Sequence, residues 1–372
     1  MKIGLNLLYR VPSAGGGVET YVQSLINQVI QLDTKNEYTL FVSGTAKMFP
    51  LPDKRNVTVV RCAVDSNKRG SRYLWEQVIL PAQVRKHKVQ MLHSLNYVSP
   101  VVCPCKTLVT FQDLSYREPT VEMPAIRRLG LTLFSTLSAL STDAVVTVSE
   151  FSKKRICSSL HVTEDKVRVV PSGPGWNSDR PSRTAIEHAL AKYRIARPYV
   201  VAFAGGYPHK NITRLLAAFQ AACKKMEHGL VLIGRLPEHV EIAPPFVDYE
   251  FRNRVHHLGH IPTDDIHPLL GGADLFVFPS LYEGFGFPLL EAQKAGVAVA
   301  CSNVASIPEV AGSGAIYFDP LSVDGITGAL SNCLSNAGLR ARLVQSGFEN
   351  VRRFSWKEAA KSYIELYNEL GN

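Results

Sequence analysis

Short apolar runs rich in β-branched residues alternate with helical patterns along almost the whole chain, and this alternation restricts the fold more than any other feature. It begins with KIGLNLLY, then a segment from Val18 to Leu32 with apolar residues at helical spacing, then YTLFVS. A strand, a helix and a second apolar strand are typical of a parallel sheet, because the helix returns the chain to the end where the first strand began. The pattern therefore predicts the α/β class.

The alternation comes in two series, and each predicts one doubly wound parallel sheet. Strand patterns continue in the first series through VTVVRC, VQMLHSL, TLVTFQD, AVVTVS and VRVVPSG, and the second series consists of YVVAFAG, LVLIGR, VHHLGHI, DLFVFPS, VAVACSN and AIYFDP. A chain of 372 residues also exceeds what one hydrophobic core usually supports. Two domains are therefore expected.

The domain boundaries follow from a change in composition between the two series. Residues 176–198 are rich in turn formers, and they predict a linker between a domain over residues 1–175 and a second domain over residues 199–354. The last segment, residues 355–372, is an amphipathic helical pattern. Such a helix needs an apolar surface to cover.

Composition restricts the compartment and the class of partner. Seven scattered cysteines argue against a disulfide framework and are interpreted as buried thiols in a reducing, cytoplasmic setting. The start of the chain lacks a signal-peptide pattern, and the apolar stretch 129–140 is too short to span a membrane. A net charge of +9 favours an anionic partner: nucleic acid, an acidic membrane surface or a phosphorylated small molecule.

Three glycine-containing segments follow predicted strands, where ligands of open α/β sheets bind. After the first strand, Gly16 and Gly17 open a helix at which backbone amides can approach an anion, although the spacing fits neither the dinucleotide fingerprint nor a Walker loop. After YVVAFAG, Lys210 stands at another helix start. A cation is unfavourable there against the helix dipole, so Lys210 predicts a counter-anion such as a diphosphate.

The third segment, EGFGFPLLE after DLFVFPS, is the most specific signal in the sequence. Glu283 and Glu291 are separated by seven residues across a glycine turn and a helix start. Glu283 is expected in the turn beside unpaired amides of Phe285 and Gly286, and Glu291 about two turns into the helix. One carboxylate could then hold sugar hydroxyls and the other a ribose.

At this point the sequence resembles the family 4 retaining glycosyltransferases of the GT-B fold, whose signature is a pair of glutamates separated by seven residues. The resemblance extends over nearly the whole chain, through GGGVETYV, HSLNYVSP, VTFQDLSYREP, VTVSEFSK, FAGGYPHKNITRLLAAF and SIPEVAGSGAIYFDP. It implies two Rossmann-like domains that face a central cleft. A nucleotide-sugar donor would bind the C-terminal domain and an acceptor the N-terminal domain, which the final helix completes.

The resemblance also implies roles for individual residues. Lys210 would contact the donor phosphates, Glu283 the transferred sugar, Glu291 the ribose and Ile261 the base, while the first glycine loop faces the diphosphate. The remaining donor contacts would be Gly16, Gly17, His209, Gly284, Phe285 and Gly286.

The chain departs from the family pattern at two positions. Gln112 stands where many relatives have a histidine, so it can donate a hydrogen bond to a donor sugar but cannot transfer a proton. Asp113 is expected to orient it, and Asp113 and Asn96 are assigned to the acceptor side. His209 replaces an arginine and removes one permanent positive charge from the phosphate site.

No metal and no cofactor are expected. The chain has no Asp-x-Asp element, and Asp264 and Asp265 fit the first turn of a helix better than a metal site. The predicted partners are a GDP-, UDP- or dTDP-linked sugar and a glycan or lipid-linked glycan acceptor, and the resemblance points to bacterial surface-polysaccharide assembly.

Other interpretations stay open at this level. A nucleotide-sugar epimerase or hydrolase would keep the nucleotide contacts, and a non-catalytic protein could bind glycan or nucleic acid through the basic surface. Arg127 and Arg128, beside the apolar stretch 129–140, indicate either contact with anionic lipid on the inner face of the plasma membrane or an ordinary half-buried helix.

Overall fold

The protein divides into two compact units. The computed structural model describes residues 1–9, 16–44, 54–118, 121, 123–175, 180–224, 226–237 and 249–371. The first unit comprises Met1–Arg117, Met123–Gly175 and Phe354–Asn372, and the second comprises Glu118–Glu122 and Trp176–Arg353. The main chain therefore enters the second unit after Gly175 and returns to the first at Phe354.

The described residues of the first unit form a parallel sheet of seven strands in the order β3-β2-β1-β4-β5-β6-β7. The strands are β1 (Lys2–Leu7), β2 (Glu37–Ser43), β3 (Val57–Cys62), β4 (Met91–Ser94), β5 (Lys106–Thr110), β6 (Ala144–Thr147) and β7 (Val167–Val169). Its first four helices are α1 (Gly17–Leu32), α2 (Arg69–Lys86), α3 (Ala125–Ser141) and α4 (Glu150–Leu160).

The described residues of the second unit form a parallel sheet of six strands in the order β10-β9-β8-β11-β12-β13. The strands are β8 (Tyr199–Phe203), β9 (Gly229–Ile233), β10 (Val255–Gly259), β11 (Leu275–Phe278), β12 (Ala298–Ser302) and β13 (Ala315–Phe318). The helices are α5 (Arg183–Tyr193), α6 (Ile212–Cys223), α7 (Tyr249–Arg254), α8 (Thr263–Gly271), α9 (Phe287–Lys294), α10 (Ile307–Ala311), α11 (Val323–Ser335) and α12 (Ala337–Val351).

In both sheets the order in which the chain adds strands reverses at a central strand, which is β1 in the first unit and β8 in the second. From that strand the chain first builds one side of the sheet and then crosses to build the other. Because crossovers between parallel strands are right-handed, the reversal places helices on both faces. The prediction of two doubly wound α/β sheets is confirmed, and it directs attention to the carboxyl ends of the central strands, where such sheets bind ligands.

The last helix, α13 (Trp356–Gly371), packs on α1 of the first unit. The hydroxyl of Tyr363 contacts that of Tyr21, and the hydroxyl of Tyr367 lies 2.7 Å from Nδ1 of His93 on β4. Burial lowers the pKa of His93 to about 3, so its imidazole is neutral. Helix α1 and strand β4 thus provide the apolar surface that the amphipathic pattern requires.

Helix α5 lies within the segment that the sequence predicts as a linker. Lys192 Nζ and Tyr193 Oη, at its end, each donate a hydrogen bond of 2.7 Å to Oδ2 of Asp265. Asp264 and Asp265 lie in the first turn of α8, as predicted. The carboxylate of Asp265 is therefore bound to the end of α5, which packs within the second unit.

The cysteines and the apolar helices bear on the predictions from composition. All seven cysteines are free thiols, but Cys103, Cys105 and Cys157 are only half-buried, so the interpretation of every cysteine as buried is wrong for these three. The Sγ atoms of Cys103 and Cys105 lie 3.6 Å apart. Among the described residues, no helix is long and apolar enough to cross a bilayer.

Candidate active site

The loop after β8 places Lys210 at the carboxyl end of the second unit's sheet. Gly205 and Gly206 are followed by a single 3-10 turn, Pro208–Lys210, and α6 then begins at Ile212. A Cβ atom at Gly205 would lie 3.0 Å from Cγ of Lys210. Glycine at this position therefore lets the aliphatic part of the lysine lie directly across the loop.

Asn211 ties the Lys210 turn to the neighbouring strand end. Its backbone is left-handed, with φ of 59°, and its buried Nδ2 donates to the carbonyl oxygens of Pro279 at 3.0 Å and Pro320 at 2.8 Å. The amide of Leu281 donates to the carbonyl of His209 at 2.8 Å. These bonds position Lys210 relative to the loop that follows β11.

Replacement of Asn211 by alanine is expected to lower the free energy of unfolding by about 1–3 kcal/mol, because two buried carbonyls lose their donor and alanine disfavours the left-handed backbone. Denaturant unfolding followed by circular dichroism measures this loss. Asn211→Gly is the matched control, since it removes the same hydrogen bonds without the backbone strain. An alanine variant as stable as wild type would contradict the positioning role.

The loop after β11 is held from two sides. The Oγ atom of Ser306, just before α10, donates to the carbonyls of Glu283 at 2.9 Å and Phe285 at 3.2 Å. Gly286 has φ of +100° and directly precedes α9, a conformation that other residue types adopt only with strain. The glycine turn and Ser306 together set the direction in which Glu283 leaves the backbone.

Lys210 and Glu283, 73 residues apart in the chain, form an ion pair. Nζ of Lys210 lies 2.6 Å from Oε1 of Glu283, and the side chains are 20% and 15% exposed. The ammonium also lies 5.4 Å from the ring centroid of Phe278. The counter-anion that the helix start predicted is therefore supplied by the chain itself, and an incoming phosphate would share Lys210 with Glu283.

Glu291 is the fifth residue of α9, so it lies little more than one turn into the helix and not the two turns expected. It is 9% exposed, and within the described part of the chain its carboxylate has no hydrogen-bond or ion-pair partner. Burial raises the pKa of this carboxyl to about 8. A buried carboxylate without a partner is costly, and hydroxyl groups of a ligand would relieve that cost.

A buried amide network, which the sequence did not reveal, fixes the helix that carries Glu291. Nε2 of Gln293 donates to the carbonyl of Ala311 at 2.8 Å. Nδ2 of Asn350 donates to Oε1 of Gln293 and to the carbonyl of Val310, both at 2.8 Å. The network joins α9 to α10 and α12, so Glu291 is presented from a rigid element.

Other donor-side residues lie at the same edge of the second sheet. Ile261 is buried just after β10, and the ring of His209 stacks on Tyr207 with centroids 5.6 Å apart. Gly234, after β9, has φ of +110°, and a Cβ atom there would lie 1.9 Å from the carbonyl oxygen of Ala204. The structure therefore brings His209, Lys210, Ile261 and Glu283 to the carboxyl ends of adjacent strands.

The first unit carries its own predicted site residues after β4 and β5. Nε2 of Gln112 and Oδ1 of Asn96 are buried and have no hydrogen-bond partner among the described residues. Oδ1 of Asp113 accepts from Tyr97 Oη and from the amide of Ser115, each at 2.9 Å. The carboxylate of Asp113 therefore joins the loop after β5 to the loop after β4, and the expectation that it orients Gln112 is not met.

The first glycine loop is described only from Gly16 onward, and its earlier glycine lies outside the described residues. Gly16 has φ of +107°, and its carbonyl accepts from the amides of Glu19 and Thr20 at the start of α1. Among the described residues, no heavy atom lies within 4 Å of a Cβ placed at Gly16. Gly17 is the first residue of α1, so both glycines stand at the helix N-terminus.

A buried polar cluster at the ends of β1 and β4 was not predicted. Nδ2 of Asn6 donates to Oε1 of Glu76 at 3.2 Å and to Oγ of Ser94 at 3.3 Å, and Arg72 Nε lies 3.6 Å from Glu76 Oε2. Burial raises the pKa of Glu76 to about 7. The signal for it was Asn6, which interrupts an otherwise apolar strand.

Metal-binding residue types do not gather at either group of site residues. Within the residues that the structure describes, no three His, Cys, Asp or Glu side chains stand close enough together to hold a metal ion.

The comparisons with known proteins agree with this architecture. The family model described as glycosyl transferases group 1 matches residues 187–350, and the model described as glycosyltransferase family 4 matches residues 15–173. A solved structure of HepE from Anabaena in complex with UDP-glucose has a TM-score of 0.74 at 14% identity, over 100% of both chains. The two sheet units and this likeness show the GT-B fold, and the two family models give the glycosyltransferase class.

Two curated relatives come from Escherichia coli. O-antigen chain mannosyltransferase B is 31% identical over 295 residues, which cover 77% of this chain and 76% of that protein. Serotype-specific mannosyltransferase WbdA is 27% identical over 281 residues, which cover 72% of this chain but 33% of WbdA. The chain belongs to glycosyltransferase family 4, and the predicted family, fold and enzyme class are confirmed.

Proposed function

We propose that this glycosyltransferase moves a hexose, specifically mannose, from a nucleoside diphosphate sugar to a glycan or lipid-linked glycan during assembly of a bacterial surface polysaccharide. The observation that carries the proposal is the Lys210–Glu283 ion pair at the sheet edge, together with the carboxylate of Glu291 on α9, which has no partner among the described residues. Both groups suit a ligand that carries phosphates and hydroxyls. Mannose and the polysaccharide come from the two mannosyltransferase relatives, one of them an O-antigen chain enzyme.

The residues of the second unit divide the donor between them in this proposal. Lys210 would offset the negative charge that grows on the departing phosphate, a task that needs no metal ion. Glu283, released from part of its bond to Lys210, would accept hydrogen bonds from sugar hydroxyls. Glu291 would accept hydrogen bonds from the ribose hydroxyls, and Ile261 would contact the base.

Retention of configuration follows in the proposal from the leaving group acting as the base. The bond between the anomeric carbon and the phosphate oxygen breaks through an oxocarbenium-like state, and the acceptor oxygen forms its bond on the same face. The departing phosphate takes the acceptor's proton, so the products are a glycoside and a nucleoside diphosphate. The protein's task is then to stabilise charge and to hold the reactants in position.

We also propose that the enzyme acts at a membrane surface. A lipid-linked acceptor would be presented at the inner face of the plasma membrane, and an enzyme that meets it there has to associate with an anionic lipid surface. The net charge of +9 supports this association.

The first test is binding and turnover with GDP-, UDP- and dTDP-linked sugars in the presence of EDTA. We expect one nucleotide to bind in the micromolar range and transfer from its mannose conjugate to require an acceptor, because the chelator leaves Lys210 and Glu291 in place. The anomeric configuration of the product is read by NMR. Conversion of the donor without an acceptor would indicate an epimerase or hydrolase, and no binding of any nucleotide would contradict the proposal.

A further inference from the structure

Helix α3 exposes an uninterrupted apolar stripe. Ile126, Leu129, Leu133, Leu137 and Leu140 are between 37% and 84% exposed. Their spacing of three, four, four and three residues keeps them within about 40° of one direction on a helix that turns by about 100° per residue. The opposite side of α3 packs against the sheet through Leu131, Ser135, Ser138 and Ala139, so the stripe is not part of the core.

Helix α2 extends this apolar surface. Leu74 and Val78 are 65% and 59% exposed. The ring of Tyr73, just before Leu74, lies 5.0 Å from the ring of Phe134, which follows Leu133 on α3. One turn further along, Gln77 of α2 and Ser138 of α3 both donate to the carbonyl of Ser99.

These contacts show that α2 and α3 lie side by side and run in the same direction. On α2 the exposed Leu74 follows the contact residue Tyr73. On α3 the exposed Leu133 precedes the contact residue Phe134. Between two parallel right-handed helices, these opposite rotations point to the same outer side. Leu74 and Val78 therefore join Ile126, Leu129, Leu133 and Leu137 in one surface, called here the α2–α3 surface.

The exposed charges on α2 and α3 themselves have one sign. Both helices lie wholly within the described residues, and the single carboxylate on them, Glu76, is buried against Arg72. Exposed or half-exposed cations stand near the helix ends: Arg69, Arg85, Lys86, Arg127 and Arg128. A second copy of this chain would bring like charges together across the surface, whereas an anionic lipid surface complements both its cations and its apolar stripe.

We propose that the α2–α3 surface docks on an anionic lipid bilayer. Helix α3 would lie in the plane of the membrane, with Leu129 and Leu133 among the acyl chains and the arginines at the lipid phosphates. The docking rests on the proposed function in one respect, because a lipid-linked acceptor gives the enzyme a reason to be at this surface. It assigns to α2 and α3 a role that the donor site does not require.

The test is sedimentation of the full chain with vesicles of phosphatidylcholine alone or mixed with phosphatidylglycerol. We expect binding to the anionic vesicles at low salt, and a drop of about tenfold or more for the Leu129→Gln/Leu133→Gln variant. Reversing both charges in Arg127→Glu/Arg128→Glu should weaken anionic binding to a similar degree and reduce its salt dependence. The matched control, Leu321→Gln in the second unit, removes an exposed leucine of 63% exposure and should bind like wild type.

Wild type that stays in the supernatant at low salt, or a Leu129→Gln/Leu133→Gln variant that still sediments like wild type, would overturn the docking. If the wild type is a dimer and this variant is a monomer, the surface would instead be an interface with a second copy of the chain. Donor binding measured by calorimetry on the same proteins keeps the two proposals apart. Intact donor binding without vesicle binding removes only the docking, and vesicle binding without donor binding removes only the transferase proposal.

Discussion

Replacing Lys210 with methionine is expected to lower kcat for glycosyl transfer by about 10²–10³-fold, which is the usual effect of removing one fixed group that stabilises developing charge. The structure places this lysine at the carboxyl end of β8, and its aliphatic part lies against Gly205. Methionine keeps the length and the apolar contacts of the side chain. The loss should therefore report the missing charge, and steady-state kinetics at saturating donor measures it.

The same substitution leaves Glu283 without its counter-ion, so a change in stability has to be separated from a change in chemistry. Loss of one partner of a largely buried ion pair destabilises a protein, whereas removing both charges can be nearly neutral. The double variant Lys210→Met/Glu283→Gln should recover the melting temperature of wild type but not its turnover. A single variant with turnover within about threefold of wild type would remove Lys210 from the charge-stabilising role.

Replacing Glu291 with glutamine is expected to raise the free energy of unfolding and to weaken nucleotide binding at the same time. The folded state holds this carboxyl at a pKa of about 8, above the ordinary value of 4.5. As pH rises from 4.5 to 8 the unfolded chain loses the proton first, so Glu291 makes the folded state progressively less stable. Glutamine cannot ionise. Because one pKa unit corresponds to about 1.4 kcal/mol, the variant should gain up to about 5 kcal/mol above pH 8 and nothing below pH 4.5.

The binding effect of this variant has the opposite sign. A carboxylate can accept from two ribose hydroxyls, and hydrogen bonds to a charged group contribute about 1.5–3 kcal/mol, so nucleotide affinity should fall by about 10- to 100-fold. Thermal melts at several pH values and calorimetric titration with the nucleotide measure the two effects. Glu365→Gln, an exposed glutamate on α13, is the matched control. If the Glu291→Gln variant and wild type are equally stable at high pH, or bind the nucleotide equally well, Glu291 does not contact the ligand in the proposed way.

Reading the sequence was sufficient for the features that depend on neighbouring residues. The strands of both sheets were predicted because each is a short β-branched run bounded by turn formers, and those bounds are local. The glycine turn at Gly286 was predicted because few residue types adopt its backbone. The family followed from motifs with strict spacing, above all Glu283 and Glu291.

Errors arose where a local pattern was extended to a contact or to a degree of burial. Asp113 follows Gln112 in the chain, yet its carboxylate binds Tyr97 and Ser115, because the loop after β5 folds back on the loop after β4. Cys103 was taken as buried, although it lies in the connection between those strands and packs only against the margin of a core cluster, where it stays half-buried. The residues next to a position in the sequence do not determine which other loop will contact it in the folded protein.

By itself the sequence determined the α/β class, the two sheets and the family, since all of these depend on the order and spacing of residues along the chain. Tertiary structure alone decided that Glu283 pairs with Lys210, that Glu291 has no partner in the part of the chain that the structure describes, and that Gln293 and Asn350 lock α9 in place. It also decided that the stripe on α3 faces outward beside Leu74 and Val78. The physical reason is that these contacts join segments far apart in the chain, and only the strand order of each sheet determines which ends and which faces meet.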